Sequence, residues 1–415
     1  MGKEIPMSKF AVWTLGLLLF LAPCAAGVQP AFEVPHALSA RDVLPADLRQ
    51  GPYHRVAERV RNDGYMNTYT VHSDFGDLTV VSTASLRERI AELKAIDAML
   101  RVEQTDTFQE SLTDAATTTV AGVQNIVEDP KKALSGAVTG IGKVFKLAGE
   151  AIQSNPGAGE DSRIEGLIGY SNTKREYAHS FGVDVYSPSP ILQEQLDTMA
   201  KAGYAGSLSA TALKSLIPGG VGFALTVTGG TQLLNDVIAK TPPTELRSMN
   251  RDKLTAMNVD PQLIDLFIKK AVFTPRDQTL LVAALEDLPK ARQRAEYIKF
   301  AISTESEDLA VFRTRSALMY AAYNQHQAPL ESFVSIEPFV LARTRDTLVS
   351  IAPVDRLLWT RDIYHILEHV NGQAGQLAGI NKKQLWVAGT VSPAARKGLA
   401  AMGWEPFENC AERLK

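Results

Sequence analysis

Residues 338–354, PFVLARTRDTLVSIAPV, hold two apolar runs on either side of Thr344-Arg345-Asp346. Short runs rich in branched side chains, separated by a polar break, predict a β-hairpin. The chain then alternates. LLWTRDIYHILEHVN (357–371) has helical apolar spacing, and QLWVAG (384–389) is an apolar run of strand length. SPAARKGLAAMG (392–403) opens with a cap and a first-turn proline, and Trp404 begins a last short strand or tail. Strand and helix taking turns over 336–415 predict a small α/β segment.

Upstream of that segment the pattern is helical. Asp260-Pro261 and Thr274-Pro275 each place a capping side chain and a first-turn proline ahead of an apolar-periodic run. Thr244 reads as another cap, Pro289 as the start of KARQRAEYIKFAISTE, and DLAVFRTRSALMYAAYNQ (308–325) as a further helix. Short connections between such runs predict an array of antiparallel neighbours. Nearer the N-terminus, Leu86, Ile90, Leu93, Ile96 and Leu100 recur at helical spacing, with Ser85 and Glu88 as a capping box. Before them, VAERVRNDGY (56–65) reads as a short helix. YMNTYTVHSDFGDLTVVS (65–82) reads as a hairpin turning at Asp74-Phe75-Gly76-Asp77 and expected to join the C-terminal sheet. The expected fold is α+β, predominantly α-helical, with a small mixed β-sheet formed by hairpin and α/β segments. Its regions are a leader at 1–27, a mainly helical domain at 28–335 with the early hairpin at 67–82, and the α/β segment at 336–415 packed on it.

The leader reads FAVWTLGLLLFLAPCAAGV (10–28), preceded by Lys3 and Lys9 and closed by small residues. A positive start, an apolar centre and a small-residue exit describe a secretory signal peptide. Leu21-Ala22-Pro23-Cys24 resembles a bacterial lipoprotein box, which implies a lipidated Cys24; Pro23 departs from the small residue that box carries before its cysteine. Cys24 and Cys410 are the two cysteines of the chain, so a disulfide scaffold is excluded and stability must come from the core.

Composition narrows the function classes. Across 415 residues the net charge is −3, which excludes a chain-wide cationic nucleic-acid surface. Hydrophobic residues at 45% rule out wholesale disorder. One helix, 130–153, sets Leu134, Val138, Ile141, Phe145 and Ile152 against Lys132, Lys143 and Lys146, the pattern of a helix lying on an anionic membrane surface as well as of one docked on a core. The stretch 203–239 is uncharged from Ser215 to Asn235 but broken by Pro218 and several glycines. It reads as two buried helices joined by a bend, with membrane insertion as the alternative.

Three places could carry chemistry. His365-Ile366-Leu367-Glu368-His369 matches the letters of the inverted zinc metalloprotease signature. Histidines four apart share a helix face and could chelate zinc, with Glu368 as base and Glu405, Glu408 or Glu412 as a third ligand. Thr390, Ser392 and Arg396 surround a helix start, where an anion is favoured. Cys410 has no neighbouring histidine and reads as an inert thiol. The basic run Lys290-Ala291-Arg292-Gln293-Arg294 is balanced by Glu286, Asp287 and Glu296 and reads as a solvated helix face. The expected function is that of an exported bacterial protein of the periplasm or cell envelope, non-enzymatic and without a cofactor, acting by binding or membrane-surface association. The alternatives are a zinc-dependent hydrolase at His365 and His369, and a membrane-inserting or pore-forming protein.

Overall fold

In the computed structural model, residues 31–117, 161–205, 208–217 and 232–414 are described. The leader, Cys24, the 130–153 helix and the glycine-rich 218–231 lie outside them. The fold is α+β and mainly helical, with three separate sheets among the described residues.

The N-terminal sheet comprises β1 (Ala37–Ser39), β2 (Gln50–Gly51), β3 (His54–Val56), β4 (Arg59–Asn62), β5 (Asn67–Ser73) and β6 (Leu78–Val81). Its order is β1-β4-β5-β3-β2, with β6 on the other side of β5 and Tyr69 opposite Val80 in the hairpin. The helix expected over 56–65 is strand instead. Arg59 and Arg61 are exposed while Val60 and Asn62 are buried, a period of two that matches a half-buried strand. The hairpin does not join the C-terminal sheet. The two ends of the chain meet through hydrogen bonds: the Asp355 carboxylate accepts the N–H groups of Asn67 and Thr83, both at 2.9 Å, and the Gly64 carbonyl accepts the Leu358 N–H at 3.0 Å.

The helical body follows. It contains α1 (Thr83–Glu103), α2 (Asp106–Thr117), α3 (Asp161–Ser180), α4 (Pro190–Ala205), α5 (Ala210–Leu216), α6 (Gln232–Lys240), α7 (Pro243–Ala256), α8 (Pro261–Ile268), α9 (Pro275–Glu286), α10 (Arg294–Ile302) and α11 (Glu307–His326). In α1 the apolar stripe Leu86, Ile90, Leu93 and Ile96 is buried, and the cap is Ser82 rather than Ser85, its hydroxyl accepting the Ser85 N–H at 3.0 Å. Asp260 and Thr274 cap α8 and α9 with their side chains. Leu213, Ile217 and Ile238, flanking 218–231, are buried in the main core. Among the described residues no helix is long and apolar enough to cross a membrane.

The C-terminal segment holds β7 (Ser332–Ile336), β8 (Phe339–Arg343), β9 (Thr347–Ala352), β10 (Arg356–Leu357), α12 (Arg361–Ala374), β11 (Lys382–Val387), β12 (Thr390–Val391), α13 (Pro393–Ala401) and β13 (Trp404–Phe407). The main sheet has order β13-β11-β9-β8-β7; β8 runs antiparallel to its neighbours, while β9, β11 and β13 are parallel. Alternation sends Phe333, Ala342, Val349 and Ile351 into the helical-body core, and Ile336, Leu341, Leu348 and Leu385 into a second core with α12 and α13. The sheet is therefore a middle layer between two sets of helices. Strand character begins at Ser332, before residue 336.

Candidate functional site

α12 places His365, Glu368 and His369 on its solvent side, because Ile363, Leu367 and Val370 take the buried face. His365 Nδ1 lies 3.4 Å from a Glu368 carboxylate oxygen, and the Tyr364 hydroxyl donates to the other oxygen at 3.1 Å. His369 Nε2 lies 2.7 Å from the Glu337 carbonyl. A carbonyl only accepts, so that nitrogen carries the proton and Nδ1 alone is left for a metal. Of the third-ligand candidates, Glu405 is exposed on β13 and Glu408 pairs with Arg396. No three or more His, Cys, Asp or Glu side chains gather to hold a metal among the described residues.

The start of α13 already faces an anion from its own chain. Ser392 caps the helix, accepting the Ala395 N–H at 3.0 Å, and its hydroxyl donates to the Glu33 carboxylate. The same carboxylate oxygen accepts the Trp359 N–H at 2.6 Å, while the Glu33 N–H donates to the Trp359 carbonyl at 2.7 Å. The anion-favouring helix start read from Ser392 is thus filled by Glu33. Arg396 is turned away, to Glu408.

Perturbed titratable groups concentrate elsewhere, where α1, α9, α11 and the 181–189 segment meet. Arg89 pairs with Glu92 at 2.8 Å, Arg315 with Glu88 at 3.2 Å, and Arg276 approaches Asp184 to 3.6 Å. Burial pushes the Glu92 carboxyl up to about 7 and raises Asp184 and Asp277. Burial also opposes the Glu88 charge, but Arg315, Arg276 and Arg89 outweigh it and hold that carboxyl low. Such shifts often mark active sites. Here the adjoining cavity, lined by Arg175, Asp184 and Arg276, measures about 20 Å³. That is room for about one water, so the cluster acts as a polar joint between elements.

Among the described residues an open cleft of about 530 Å³ lies at the free edge of the C-terminal sheet, lined by Arg292, Gln293, Glu296, Ser332, Val334, Ser335, Arg343 and Leu377. The fold builds it simply. The Arg292 N–H donates to the Glu331 carbonyl at 2.8 Å and its carbonyl accepts the Phe333 N–H at 3.1 Å, so Arg292 begins a parallel pairing with β7. Gln293, with φ 59°, then turns the chain away into α10 and leaves the rest of that edge open. Register sets Ser332 opposite Arg343, hence on one face, and Val334 follows on that face at the strand period. Among the described residues the Arg343 side chain makes only long contacts, 3.4 Å, to the carbonyls of Thr344 and Arg345. Arg292 makes no side-chain ion pair or hydrogen bond among the described residues. Ser332 is 5% exposed, yet its hydroxyl has no partner there. Glu296 is paired with Lys299 at 2.8 Å.

Arg292, Ser332 and Arg343 do not stand out in the sequence. The reading of Arg292 as part of a helix face is corrected: it precedes α10 and lies along a strand edge. No protein family, curated protein or solved structure matches this chain.

Proposed function

We propose that this is an exported, non-enzymatic protein of the bacterial cell envelope that works by binding a small ligand in the cleft between Arg292, Ser332 and Arg343. The cleft carries the reading. Its volume of about 530 Å³ falls in the roughly 300–1,000 Å³ range of small-molecule sites, and its Arg292 guanidinium and Ser332 hydroxyl have no partner among the described residues. Nucleophilic catalysis needs a base within hydrogen-bond distance of the hydroxyl, and Ser332 has none among the described residues. The signal-like leader supports export.

Hydrogen exchange of the purified protein, with and without the small-molecule fraction of an envelope extract, tests the binding site. Protection confined to 292–296 and 332–335 is expected. Protection that leaves these residues untouched, or turnover of a substrate lost in Glu368→Gln, overturns the reading.

A further inference from the structure

We propose that the cleft is a site for a small organic phosphate, its phosphoryl group held by Arg292, Arg343 and Ser332 and its organic part lying along Val334 and Leu377. This rests on the binding role proposed above and names the ligand class.

Three observations point the same way, against one opposing charge. Two guanidinium groups from separate elements line one cleft, and neither is paired with a carboxylate among the described residues. Ser332, on the face shared with Arg343, is 95% buried by its 5% exposure, and its hydroxyl lacks a partner. Gln293, which offers no side-chain cap to the nine-residue α10, lines the same cleft. Glu296 is the opposing charge, and Lys299 neutralises it at 2.8 Å.

The number of donors, and the separate elements they come from, suit one kind of anion. A carboxylate presents two oxygens in one plane and is satisfied by a single arginine fork. Two arginines from separate elements and a strand hydroxyl match a tetrahedral group with three terminal oxygens. Next to this polar end, Val334 is one strand repeat from Ser332, roughly 7 Å, and Leu377 faces the same cleft. The space is larger than a bare phosphate needs, which favours a phosphate with an organic remainder.

Titration calorimetry of the purified protein with glycerol phosphate, against sodium chloride at equal ionic strength, is the test. Saturable binding is expected, weakened at least tenfold in Arg292→Gln and several-fold in the nearly isosteric Ser332→Ala. Lys397→Gln, an exposed cation away from the cleft, should bind as the wild type does. Sedimentation with phosphatidylglycerol vesicles separates the source: binding that Arg292→Gln abolishes, without a response to glycerol phosphate, assigns the phosphoryl group to a lipid headgroup. No response to either probe, or equal weakening by Lys397→Gln, overturns the phosphate assignment. Cleft protection by an envelope extract would survive that result, so the two failures are distinguishable.

Discussion

Cys410 and Glu92 both titrate far from their ordinary ranges, and burial is the main cause in each. Cys410 is fully buried, its thiol donates to the Phe407 carbonyl at 3.1 Å, and it is pushed up to about 11. The thiolate is the reactive form, so a thiol reagent at pH 8 should leave native Cys410 untouched and label it fully in urea. Rapid labelling of Cys410 itself in the native protein would contradict this. Glu92 is raised from about 4.5 to about 7. Between those values the folded state keeps a proton that the unfolded chain has lost, so stability falls as pH rises through about 7. Urea unfolding at pH 5 and pH 8 should show wild type losing stability relative to Glu92→Gln, by at most about 3 kcal/mol. An unchanged difference between the two pH values would argue against it. Some of this is legible in sequence: Cys410 has no activating neighbour. The cleft residues are not legible, because Arg292 and Ser332 acquire meaning only when a strand pairing brings them together.

Among the elements, the extended segment that precedes β1 does the least expected thing. Glu33 fastens it between α12 and α13, and Phe32 packs against Tyr364 with ring centroids 5.8 Å apart. Hydrogen bonds to a charged group contribute roughly 1.5–3 kcal/mol. Glu33→Ala should therefore destabilise the fold by about 2 kcal/mol and speed hydrogen exchange at residues 31–36, with Glu33→Gln between it and wild type. Unchanged exchange at this segment would show that the carboxylate does not hold it. Local chemistry makes the capped helices readable: Asp260, Thr274 and Ser392 act where the sequence puts them. It misleads at 56–65, where apolar residues four apart suit a helix turn as well as alternate strand positions. It is silent on Glu33, whose partner Ser392 is 359 positions away.

For the whole molecule, the α+β class is legible because apolar periodicity changes from helical to alternating near the C-terminus. Which strands share a sheet is not, since pairing depends on contacts between distant segments. The single mixed sheet expected from hairpin and α/β segments resolves into separate sheets, with Asp355 bridging the N-terminal and C-terminal parts. The single cysteine among the described residues is buried, and the packed cores carry the stability. The most direct measurement is cell fractionation of the full chain beside the same chain lacking residues 1–27. The full chain should be found in the envelope or periplasm, and the shortened chain in the cytosol. Equal cytosolic recovery of both would contradict the proposal that this protein is exported to bind its ligand there.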